Sequence, residues 1–100
     1  MDISVKDLKA RMDAGDQDFV LIDVREPGEH DAFNIGGTLI PVGTIASALD
    51  DLEAHKNSEV IVYCRSGARS GMAQGFLQQA GFKNVRNLTG GMMAWQAMQG

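Results

Sequence analysis

Val60-Ile61-Val62-Tyr63-Cys64-Arg65-Ser66-Gly67-Ala68-Arg69-Ser70 is the stretch of this chain that decides its fold. Four consecutive apolar residues, three of them β-branched, read as a strand covered on both faces. The strand runs into a cysteine, and a polar loop turns through Gly67. A helix is predicted over roughly 70–80, with Met72, Ala73, Phe76, Leu77 and Ala80 as its apolar face and Gly81 as its stop. Strand, loop and helix in this order are the unit of an open α/β sheet, in which ligands bind at the carboxyl ends of the strands.

The rest of the chain repeats the alternation. Ser4 is placed to cap a helix over roughly 5–14, with Val5, Leu8 and Met12 on one face and Gly15 as its stop. Phe19 to Asp23 reads as a second buried strand. Arg25 to His30 reads as a loop or single helical turn, with Pro27 suited to its first position. Gly36-Gly37 marks a turn before a short strand at Leu39-Ile40, and Thr44 is placed to cap a helix aligning Ile45, Leu49 and Leu52. Val85 to Leu88 is a further strand. Gly90-Gly91 then leads into a last helix, Met92 to Met98, containing Trp95. The expected fold class is α/β: a mainly parallel central sheet of about five short strands, flanked by helices on both faces. One hundred residues suit a single domain, here 1–100, and a monomer is the default for a domain of this size.

Cys64 is the only cysteine. It has no partner for an internal disulfide and no companion thiolates for a zinc site, and with only His30 and His55 besides, no metal cluster is readable. A lone cysteine is more often a packing residue than a reactive one. Its place just before a helix N-terminus changes that reading. The first amides of a helix lack intrahelical partners and the helix dipole is positive there. A loop curled over that end points N–H groups inward, a nest that binds anions and lowers a thiol pKa. Gly67 lets the backbone turn tightly, and Arg65 and Arg69 add positive charge on either side.

The net charge of −4 argues against nucleic acid as a partner. Its distribution is uneven: residues 1–59 hold all 13 acids, and residues 60–100 hold only the bases Arg65, Arg69, Lys83 and Arg86. The cationic half either attracts small anions to Cys64 or is neutralised by acids of the other half across the fold. No apolar run is long enough to span a membrane. Met1-Asp2-Ile3-Ser4 shows no basic region leading into an apolar stretch, so the expected location is cytoplasmic.

Cys64-Arg65-Ser66-Gly67-Ala68-Arg69-Ser70 closely resembles the active-site loop of rhodanese-like sulfurtransferases. Leu21-Ile22-Asp23-Val24-Arg25-Glu26 with Glu29-His30 resembles the family's first signature, and Gly90-Gly91-Met92 with Trp95 resembles its C-terminal one. The three run in family order over roughly residues 3–99. The resemblance implies a thiosulfate sulfurtransferase that needs no cofactor. A Cys64 thiolate would take sulfur from a small anionic donor such as thiosulfate or from a persulfide. It would hold the sulfur as a persulfide against the amides of Arg65, Ser66, Gly67, Ala68 and Arg69, and pass it to cyanide or a thiol. Arg65 and Arg69 would hold the donor. A protein sulfur carrier is a further partner of this kind. Asp23 and Arg25 match signature positions and imply an ion pair bracing the loop. One departure is Asn34, where many members have histidine; it reads as structural.

Two rival functions follow from the same resemblance. Related phosphatases and arsenate reductases also place cysteine and arginine on a strand, loop and helix, but with a longer gap. Here only Arg65, Ser66, Gly67 and Ala68 separate Cys64 from Arg69, the tighter, sulfur-handling spacing. The other rival is a non-catalytic or sulfur-relay binding module; the presence of Cys64 with both arginines favours activity. Among the remaining residues, His30 beside Glu29 and Asp31 reads as a solvated turn residue, Met12, Met72 and Met98 as core, and the glycine pairs as turns.

Overall fold

The computed structural model describes residues 1–99. The elements alternate as β1 (Ile3–Ser4), α1 (Val5–Asp13), β2 (Val20–Asp23), α2 (Pro27–Ala32), β3 (Thr38–Leu39), α3 (Leu49–Leu52), β4 (Glu59–Tyr63), α4 (Ala68–Gln79), β5 (Asn84–Thr89) and α5 (Gly91–Gln99). The five strands form one parallel sheet in the order β1-β5-β4-β2-β3. The α/β fold with a central parallel sheet is therefore as expected.

β4 lies at the centre, and its side chains alternate between two cores as a strand requires. Val60, Val62 and, just beyond the strand, Cys64 point into a core with Ala73 and Leu77 of α4, Ile45 and Leu52. Ile61 and Tyr63 point into the other, with Leu8 of α1 and Met92 and Trp95 of α5. Each fully buried Val or Ile contributes about 1.5–3 kcal/mol by leaving water, which is why this run is a strand and not a surface loop. From β2 the chain leaves toward β3 on one side, whereas from β4 it leaves toward β5 on the other. The two diverging connections open a crevice at the carboxyl ends of β2 and β4. Asp23 and Cys64 stand there.

Several local expectations are corrected. On α4 the buried stripe is Ser70, Ala73 and Leu77, whereas Met72 and Phe76 face solvent. Small residues let the helix lie close to the sheet, and the larger side chains turn outward. Met98 is likewise exposed, while Met12 packs half-buried against its core. Thr44 caps no α-helix. Its hydroxyl donates to the Pro41 carbonyl inside a 3-10 helix, Val42–Ala48, and only Leu49–Leu52 is α-helical. Trp95 packs α5 onto the sheet. Ser4 caps α1, its Oγ accepting from the Asp7 amide at 3.1 Å. No helix among the described residues is long and apolar enough to cross a membrane.

Candidate active site

Cys64 is buried, and its Sγ is the focus of the loop that follows it. The Gly67 amide donates to Sγ at 3.1 Å and the Ser70 amide at 3.4 Å, while the Ser70 hydroxyl lies 3.3 Å away. Gly67 makes this possible by taking φ of +109° at the N-cap of α4, a conformation that a Cβ disfavours. Burial by itself pushes the thiol pKa up. The Ser70 hydroxyl and the amides of Ser70, Gly67 and Ser66 outweigh it, and the net shift is downward. The positive end of α4 therefore points at a sulfur held toward its thiolate form.

A second helix supports the loop from beneath. The Met92 amide donates to the Cys64 carbonyl and the Met93 amide to the Arg65 carbonyl, each at 2.9 Å. Gly91 permits the approach: a Cβ there would stand 2.7 Å from the Arg65 oxygen, and its φ is +53°. Gly90-Gly91 is thus more than a turn, because it seats the N-terminus of α5 under the cysteine.

The two arginines of the loop differ. Arg69 is held by Glu29 of α2 through paired bonds of 2.6 and 2.9 Å. The Arg69 guanidinium and the Glu26 amide bring Glu29 down to about 2. Arg65 is exposed and forms no ion pair among the described residues. Elsewhere, Arg86 pairs with Glu59. The cationic half is therefore neutralised in part by the acidic half, and Arg65 is left free at the mouth. Ser66 and Ala68 are exposed along the loop.

Asp23 is fully buried at the end of β2. It accepts from the Arg25 amide at 3.0 Å and from Arg25 Nη2 at 2.8 Å, and it lies 2.9 Å from His30 Nδ1. Burial pushes the Asp23 carboxyl up, but Arg25 and His30 outweigh it and the net shift is down. Arg25 Nη2 also donates to the Phe33 carbonyl at 2.6 Å. The pair braces α2, and α2 in turn presents Glu29 to Arg69, so its reach to the loop is indirect. His30 is thus no solvated turn residue; its ring is anchored on a buried carboxylate. The functional contacts that the sequence left unassigned are those of Ser70, Glu29 and Asn87. The first two sit inside the quoted motifs, but their partners lie up to 40 residues away.

The site is a buried, amide-wrapped thiol at the carboxyl end of a central parallel strand of an α/β domain. The family model for the rhodanese-like domain matches residues 4–98, and the chain belongs to that family. It is 37% identical over 100 residues to a sulfurtransferase of Allochromatium vinosum, covering 94% of this chain and 86% of that protein. It is 35% identical to the thiosulfate:glutathione sulfurtransferase of Saccharomyces cerevisiae, covering 92% of this chain and 75% of that one. Among solved structures, the human single-domain sulfurtransferase TSTD1 superposes with a TM-score of 0.81 at 26% identity, over 96% of this chain and 95% of that one. Other relatives are longer, and the chain spans 66%, 50% and 24% of three of them.

Proposed function

We propose that this protein moves sulfane sulfur from thiosulfate or a persulfide donor to a thiophilic acceptor through a persulfide on Cys64. The observation that carries the reading is the convergence of two amides and one hydroxyl on Cys64 Sγ. The thiolate attacks the outer sulfur of thiosulfate. A new S–S bond forms, the old one breaks, and sulfite leaves with the bonding pair. A cyanide or thiolate acceptor then attacks the terminal sulfur of the persulfide, and the Cys64 thiolate departs with its electron pair. This is two-step covalent catalysis, and no general base is required, because the thiol is already held toward its ionised form. Arg65 draws the anionic donor, and the loop from Arg65 to Arg69 surrounds the transferred atom. The thiosulfate:glutathione sulfurtransferase of yeast performs a reaction of this class, which supports a thiol acceptor.

A phosphatase reading is weaker. Only Arg65 to Ala68 separate Cys64 from Arg69, and Arg69 is occupied by Glu29 instead of facing an open oxyanion site. A sulfur-relay module would use the same persulfide and differ in its partner.

Thiosulfate treatment of reduced protein is expected to add the mass of one sulfur atom on Cys64, removable by cyanide and absent in Cys64→Ser. Intact mass spectrometry reads this directly. An unchanged mass on folded protein would sink the transferase reading.

A further inference from the structure

Asn87 stands outside every motif yet touches the middle of the active loop and the helix residue that follows it. It lies on β5, beside the strand that leads into Cys64. Its Nδ2 donates to the Gly67 carbonyl at 3.0 Å, and its Oδ1 accepts from the Ser70 hydroxyl at 2.6 Å. The first bond needs an N–H donor, so it fixes which way the amide points. Ser70 is fully buried and its oxygen is also 3.3 Å from Cys64 Sγ. A hydroxyl has one proton to give. When that proton is on the Asn87 side, the Ser70 oxygen can accept an S–H bond from the neutral thiol. When Cys64 ionises, the thiolate becomes the stronger acceptor, and the hydroxyl must leave Asn87 to donate to sulfur.

We infer that Asn87 is a positioning residue for Cys64, competing with the sulfur for the Ser70 proton and so setting how readily the thiol ionises. The inference rests on Cys64 being the nucleophile of the proposed transfer. The loop does not depend on Asn87 to satisfy the Gly67 carbonyl, which also accepts from the Gly71 amide at 2.9 Å. Removing the Asn87 side chain therefore removes the competitor without orphaning the loop. The ionisable groups bordering this cluster are Arg69 with Glu29, Arg65 in the loop, and Asp2, whose carboxylate accepts from the Asn87 backbone amide at 3.2 Å. α5 contributes none among its described residues.

The test is the pH dependence of Cys64 alkylation by iodoacetamide, which reads the thiolate whether or not the protein transfers sulfur. Failure to load sulfur would therefore refute the transferase reading, whereas the alkylation profile judges Asn87. Asn87→Ala is expected to raise the ionisation constant of Cys64 about three- to tenfold, the worth of one hydrogen bond. Ser70→Ala is expected to lower it by a similar factor, because the thiolate loses a donor. In the double variant the Asn87→Ala effect disappears. Asn87→Leu keeps nearly the size of the side chain without its acceptor, so it is expected to raise the constant as the alanine does; it serves as the readout if the alanine variant does not fold. A fall or no change in Asn87→Ala, or a full-sized Asn87 effect without Ser70, would show a merely structural role and overturn the inference.

Discussion

Glu59, at the amino end of β4, and Cys64, just past its carboxyl end, are five positions apart and surrounded in opposite ways. At the amino end, Glu59 is saturated with charge: Arg11 grips it through bonds of 2.7 and 2.8 Å, and Arg86 adds a third of 2.7 Å. Arg11 also reaches Asp16 and lies over the Phe19 ring, 4.8 Å from its centroid. At the carboxyl end, Cys64 Sγ has no formal charge bonded to it. It meets amide and hydroxyl donors, and Arg69 of the loop is bound by Glu29. The amino end is closed by mutual neutralisation, and its interactions hold the fold. The carboxyl end leaves donors facing a buried thiol that they hold toward its thiolate form, the arrangement on which the proposed sulfur transfer relies.

This contrast can be broken from either side. The largest effect is expected from Gly91→Ala, which puts a Cβ against the Arg65 carbonyl and forces an alanine into left-handed backbone. It should cost about 2–3 kcal/mol of stability by urea unfolding, and it should also slow Cys64 alkylation, because α5 no longer seats the loop. A stable Gly91→Ala protein with unaltered alkylation would show that α5 does not position the cysteine. Next comes Glu59→Gln, expected to cost about 1–2 kcal/mol by weakening charge-assisted bonds to two arginines, with no change in Cys64 alkylation. Altered alkylation in that variant would mean that the two ends are coupled. The smallest effect is expected from Arg65→Ala. Losing an exposed charge should lower kcat/KM for thiosulfate about threefold to tenfold, in keeping with about 1 kcal/mol, while use of a neutral persulfide donor changes less. Equal losses would assign Arg65 to loop structure instead of anion attraction.

The asymmetry between the ends also explains what could be read in advance. The strand at Val60–Tyr63 and the cysteine loop after it are local: consecutive apolar residues, then a glycine, then a helix start, all within eleven positions. β1 was not legible, because two residues are too few for any periodicity, and Ser4 serves as both strand end and helix cap. The α4 face was misread because hydrophobicity favoured Met72 and Phe76, whereas the space against the sheet admits Ala73 and the hydroxyl of Ser70. His30 reads as a solvated turn residue among acids and Glu29 is left without a partner, since nothing nearby in sequence announces Asp23 as a buried anchor or Arg69 as a partner.

From its sequence alone the protein is an α/β domain with a cysteine at the mouth of a central strand, because strand burial, glycine turns and helix starts are encoded over a few neighbouring residues. Only the tertiary structure decides that Arg69 is occupied and Arg65 free, that α5 lies beneath the cysteine, and that Asn87 shares the Ser70 proton. Those contacts join residues 17 to 40 positions apart, and whether they form depends on how the sheet orders its strands and on no local propensity.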